Sequence, residues 1–133
     1  MSTAAEHETG LVALIAPAKR DRVASFLGNA KRRRKFVDDL WHFRDWDPQA
    51  VVRLAASAQT SAAVLAELTR RGAASEVYVV SATSKLDARS MALQDAIGTI
   101  VGSSSGTVVS CIAGRLAYFE GEEPGDRCIL ARP

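Results

Sequence analysis

The chain is poor in the residues that cross-link small proteins. Its 133 residues include 2 Cys, 2 His and 4 Pro, and only 4 of its 17 basic residues are Lys. Two cysteines do not make a disulfide framework. The two Cys and two His show no zinc-ligand spacing, and GxSxG, HExxH and CxxC are all absent, so no metal, cofactor or catalytic set is implied. Scarce proline, with 9 Gly, leaves no linker-like tract that would divide the chain. No apolar run approaches the ~20 residues of a membrane span. Residues 1–10 are polar and carry Glu6, His7 and Glu8, and the apolar run after them falls short of the roughly 7–15 residues of a secretory leader. A soluble, cytoplasmic protein without membrane contact is therefore expected, with a flexible tail over 1–10 and a single α+β domain over 11–133.

What is abundant is alanine and arginine. The apolar share is 47%, but 23 of those residues are Ala, which leaves 40 larger ones for a core. A chain of this length can bury about two-thirds of its unfolded surface, so a globular core is expected rather than disorder. The 13 Arg carry the mark of a GC-rich genome. A net charge of +2 does not mark a protein that coats nucleic acid through its overall charge. Any such role must rest on a local patch.

Hydrophobic spacing predicts helices over 17–27, 30–43, 47–56 and 61–71. The second uses Phe36, Val37, Leu40, Trp41 and Phe43 as its apolar face, and the third starts on Asp47-Pro48, a cap followed by a proline at the first helical position. After residue 75 the pattern turns to β. The run EVYVVS over 76–81 reads as a buried strand, a helix follows over 92–101, and strands are predicted over 107–112, 115–119 and 127–131. The predicted fold is α+β, a helical N-terminal half packed on a small, mainly antiparallel sheet of about four strands.

A two-residue turn at Ala113-Gly114 would pair Cys111 with Leu116 and Val109 with Tyr118. Cys128 would then sit near Tyr118, roughly 9–10 Å from Cys111 and beyond the ~7 Å reach of a disulfide. This hairpin is apolar on both faces, with Val109, Cys111, Leu116 and Tyr118 on one and Val108, Ile112, Ala117 and Phe119 on the other. Both faces must be covered, by the remaining helices or by a second copy in a homodimer through the hairpin.

The most unusual stretch is Lys31-Arg32-Arg33-Arg34-Lys35. With Lys19, Arg20 and Arg22, and one opposing Asp21, residues 19–35 carry +7, while residues 38–47 carry −3. Cations at a helix start and carboxylates at its end oppose the macrodipole, so helix stability alone does not select this order. These eight cations are the predicted anion-binding residues of a non-enzymatic module that holds a polyanion, either nucleic acid or an acidic protein surface. Trp41 and Trp46, close behind the run, are the candidates for base stacking.

Other features support less. Asp38 and His42 lie one turn apart, as a two-ligand site or an acid–base pair requires, but no third ligand accompanies them. A small enzyme using Asp38, His42, Arg89 or Ser110 between the helices and the sheet is the alternative function. An obligate assembly protein is another. Residues 102–107 (GSSSGT) have the composition of a phosphate-cradling loop but follow a helix and open a strand, the reverse of a P-loop, and they lack its lysine. Residues 120–126 read as a solvated acidic connection.

Overall fold

The structure is a computed structural model, and it describes residues 2–133. Helix α1 (Ala4–Leu11) begins with a capping box. The Thr3 hydroxyl accepts from the Glu6 amide and the Glu6 carboxylate from the Thr3 amide, both at 3.1 Å. The stretch expected to be a flexible tail is thus a helix, with His7 and Leu11 buried beneath it. Two short 3₁₀ turns lead into α2 (Arg20–Leu27). The Asn29 side chain then caps α3 (Ala30–Asp38) by accepting from the amides of Lys31 and Arg32 at 3.1 and 3.2 Å. Where one helix was expected over 30–43, α3 stops at Asp38 and tightens into a 3₁₀ turn, Asp39–His42.

The helix expected over 47–56 does not form. Asp47 makes its cap, accepting from the Gln49 amide at 3.0 Å, but only a turn follows. Val51 and Val52 enter strand β1 (Val51–Arg53), where Val51 pairs with Leu130. Two β-branched residues beside an open sheet edge outweigh the helix-start signal. Helix α4 (Ser61–Arg70) is capped by Thr60 as its sequence suggests. Then come β2 (Glu76–Ser81), β3 (Arg89–Ala92), α5 (Leu93–Ile100), β4 (Thr107–Ile112), β5 (Leu116–Glu120) and β6 (Cys128–Ala131). The sheet order is β1-β6-β5-β4-β2-β3, with every neighbouring pair antiparallel. The fold is α+β, with six strands rather than about four; the two extra are the short edges β1 and β3.

Alternating side chains give the sheet two apolar faces, and each is covered by helices of the same chain. Tyr78, Val80, Val108, Ala117, Phe119 and Leu130 pack under α1–α3, against Leu11, Val23, Phe36, Val37 and Leu40. Val77, Val79, Val109, Leu116, Tyr118 and Ile129 pack under α4 and α5, against Val64, Leu68, Leu93, Ile97 and Ile100. The β4–β5 turn is one residue longer than expected. Val109 does face Tyr118, but the register slips between Ser110 and Ile112, so Ile112 pairs with Leu116 and joins the α4–α5 side. Gly114, at φ +73°, makes this turn possible. The thiols of Cys111 and Cys128 are free and buried on opposite faces of the sheet, and burial pushes each up to about 12.

Candidate functional site

The basic run does not form one surface. Arg33 turns inward and grips two carboxylates at once. Nε and Nη2 donate to Glu8 Oε1 and Oε2 at 2.9 Å each, and Nη1 and Nη2 to Asp87 Oδ2 and Oδ1 at 2.7 and 3.0 Å. Its side chain is only 18% exposed. The Tyr78 hydroxyl donates to Glu8 Oε2 at 2.5 Å, and the Ser81 amide donates to Asp87 Oδ1 at 3.0 Å. Hydrogen bonding to Asp87 is the main cause raising the Arg33 pKa. Burial raises the Asp87 carboxyl, but bonds from Arg33 and the Ser81 amide outweigh it and hold the group below its ordinary range. Burial, reinforced by Glu8, pushes the Tyr78 phenol up. Arg33 therefore ties α1 and α3 to the β2–β3 connection.

Arg20 is also engaged within the fold, donating to the carbonyls of Ile15 and Ala13 at 3.0 and 3.3 Å and pairing with Asp47 at 3.3 Å. Arg34 pairs with Asp38 at 3.4 Å on the surface. Arg32 reaches the Ser25 hydroxyl at 3.1 Å, and Arg22 lies 5.4 Å from the Phe26 ring centre. Lys19, Arg22, Lys31, Arg32 and Lys35 are exposed and, among the described residues, have no carboxylate within 4 Å. The eight expected cations thus reduce to five on the outside of α2 and α3.

The two tryptophans do not sit beside them as a stacking platform. Trp46 is 6% exposed, with Phe43 and Phe119 ring centres 4.7 and 5.0 Å away. Trp41 is half-buried, and its carbonyl accepts from the Glu122 amide at 2.9 Å. The candidates for catalysis are scattered as well. Asp38 goes to Arg34, whereas His42 Nδ1 lies 3.2 Å from Glu122. Arg89 is exposed on edge strand β3. Ser110 does meet a histidine, His7, at 2.7 Å, but it is 1% exposed and no substrate can reach it. His7 stacks on Tyr78, and burial lowers its pKa against the opposing pull of Glu6. The Ser110–His7 pair fastens α1 to the sheet. Among the described residues no group of three or more His, Cys, Asp or Glu is placed to hold a metal.

The loop after α5 does cradle an anion, and that anion is the protein's own. Glu120, with no exposed surface, accepts from the amides of Gly102 and Ser104 at 3.1 and 2.6 Å and from the Tyr118 hydroxyl at 2.7 Å. Arg127 lies 3.5 Å from the same carboxylate. The expected solvated acidic connection is therefore solvated only in part, at Glu122 and Glu123.

One site carried no sequence motif. Residues after α3 and from β1, β5 and β6 enclose a cleft of about 440 Å³. Phe43, Trp46 and Phe119 give it aromatic sides, and Arg44, Arg53 and Asp126 also line it. Arg44 pairs with Asp126 Oδ1 at 3.1 Å. Trp46 Nε1 and Asp126 Oδ2, both without accessible surface, have no hydrogen-bond partner in the protein. Such an atom costs roughly 1–3 kcal/mol of folding free energy. The residues are spread from 43 to 126, so no local spacing could have announced them.

Fold and surface together define a three-layer α+β domain with helices on both faces of its sheet and a cationic outer helix pair. Among the described residues, no helix is long and apolar enough to cross a membrane. Comparison with known families, with curated proteins and with solved structures finds nothing that matches the chain.

Proposed function

We propose that the protein is a non-enzymatic, cytoplasmic binding module that holds a polyanion on the outer face of α2 and α3, with nucleic acid phosphates as the first target. The observation that carries this reading is the exposure of Lys31, Arg32 and Lys35 on one short helix without a carboxylate partner. Lys31 and Lys35 are one turn apart, a spacing that brings both ammonium groups to one side. Lys19 and Arg22 extend the charge toward α2 and line a groove of about 320 Å³ with Phe26 and Phe36, where Asp39 and Asp45 offset part of it. With Trp46 buried and Trp41 half-buried, contact is to the backbone of a nucleic acid rather than to stacked bases.

Retention on immobilised duplex and single-stranded nucleic acid across a salt series tests this. Three to five phosphate contacts predict a log–log salt slope between roughly −2.7 and −4.5 on a duplex. A Lys31→Ala/Arg32→Ala/Lys35→Ala variant should elute at much lower salt while keeping its fold. Wild-type protein that is not retained even at low salt overturns the proposal for nucleic acid. Retention on polyglutamate alone reassigns the face to an acidic protein partner.

A further inference from the structure

The His7 ring uses one nitrogen inside the fold and leaves the other unpaired. Nδ1 meets Ser110 Oγ at 2.7 Å, and the ring stacks on Tyr78. Ser110 is buried, and among the described residues its hydroxyl has no other acceptor. The hydroxyl therefore donates to Nδ1, which leaves the proton of the neutral imidazole on Nε2. Nε2 has no partner among the described residues and is not one of the enclosed unpaired atoms of the fold. It thus opens on the cleft of about 400 Å³ that His7 borders between α1 and the β3 end of the sheet. Glu6 of α1 and Glu76 of β2 line the same cleft, and no Lys or Arg does. Glu6 gives Oε1 to the Thr3 amide and has its second oxygen to spare. Glu76 is exposed and, among the described residues, has no cation within 4 Å. Ala74, Val77 and Ile112 supply the apolar part of the lining.

We propose that this cleft binds an α-amino amide, the group shared by a free amino acid amide and by the N-terminus of a peptide. The ammonium pairs with Glu6 and Glu76, the carbonyl accepts from His7 Nε2, and a small apolar side chain rests on Val77 and Ile112. Ammonium on carboxylate is a charge-assisted pair, stronger than a neutral hydrogen bond. An anion would face two carboxylates with no cation to offset them. A free amino acid would bring its own carboxylate against the same pair. A plain alkylammonium satisfies the carboxylates but offers His7 Nε2 no acceptor. The site depends on residues other than Lys31, Arg32 and Lys35, so either proposal can fail without the other.

Isothermal titration of the full chain with alaninamide and with the amide of alanyl-glycyl-glycine tests it. Both carry the ammonium beside a carbonyl, one as a free amino acid amide and the other as a peptide terminus. Saturable binding of at least one probe at millimolar concentration or below is expected, and the tighter of the two identifies the source. N-acetylation of alaninamide, which removes the charge and keeps the carbonyl, should weaken binding at least about tenfold. Isopropylammonium, which keeps the charge without the carbonyl, should bind about tenfold more weakly than alaninamide. Glu76→Gln and Glu6→Gln should each weaken binding by about the same factor, and Gln at position 6 still completes the capping box. The proposal is overturned if neither probe binds at millimolar concentration, or if N-acetyl-alaninamide or isopropylammonium binds as well as alaninamide. These ligand-side comparisons hold even where a variant fails to fold.

Discussion

Arg33 shows how one residue in a charged run can differ from its neighbours. At 100° per residue it lies on the same side of α3 as Phe36 and Val37, three and four positions on, which are both buried. Lys31 and Lys35 lie two positions away on either side and face outward. Its place at the start of the helix, unfavourable for the macrodipole, is where Glu8 and Asp87 can be reached together. Arg33→Ala removes one partner of a largely buried ion network and should cost about 3 kcal/mol. Lys31→Ala and Lys35→Ala should each stay within about 0.5 kcal/mol of wild type. Urea unfolding at unchanged m-value separates the two cases, and equal costs at all three positions would mean that Arg33 is as solvated as its neighbours. The inward direction of Arg33 was legible from its spacing to Phe36 and Val37. Its partners were not, because Glu8 is 25 residues away and Asp87 is 54.

Elements whose boundaries are written in local chemistry were legible, whereas those set by their neighbours were not. Thr60 capping α4 and the β-branched run of β2 are local, and both form where the sequence places them. Strand β3 has no apolar alternation, and β1 is a strand because β6 offers it an edge. The capping box of α1 was present in the sequence as Thr3 and Glu6, but the polar character of residues 1–10 hid it. Another contact invisible in the sequence holds α1 against the β4–β5 turn. Gly10 lies so close to Gly114 that a Cβ at position 10 would collide with the Gly114 backbone amide. Gly10→Ala should therefore destabilise the fold by about 1–3 kcal/mol as α1 is pushed from the turn. Gly98, inside α5 with open space around its Cα, gives the opposite sign, and Gly98→Ala should add roughly 0.5–1 kcal/mol. Thermal unfolding of the two variants measures this contrast, and a stabilised Gly10→Ala would show that α1 is not seated on the turn.

In the whole molecule, the two helical layers are attached to the sheet by different chemistry. The doubly apolar hairpin seen in the sequence has both faces covered by this chain's own helices, so its apolarity no longer calls for a second subunit. The α4–α5 layer rests mainly on apolar contacts through residues such as Val64, Leu68, Ile97 and Ile100, with the loop after α5 tied to β5 through Glu120. The α1–α3 layer adds polar fastenings that titrate, with His7 on Ser110 and Tyr78, and Arg33 between Glu8 and Asp87. His7 has its pKa lowered by burial, so its neutral form favours the fold. That stability is complete above the ordinary value of 6.5 and is lost as pH falls from there toward the lower folded value. Asp87, also held low, contributes fully above its ordinary 3.8 and loses its contribution as pH falls below that. Acid should therefore loosen the layers in order. Amides of α1 and α3 should gain deuterium uptake, corrected for intrinsic rates, as pH drops below 6.5, before those of α4 and α5 respond. His7→Phe, which keeps a ring against Tyr78 but cannot take up a proton, should abolish this first stage and leave the one below 3.8. Simultaneous loosening of both layers, or an unchanged first stage in His7→Phe, would place the acid sensitivity elsewhere and leave the His7 contact a purely packing one.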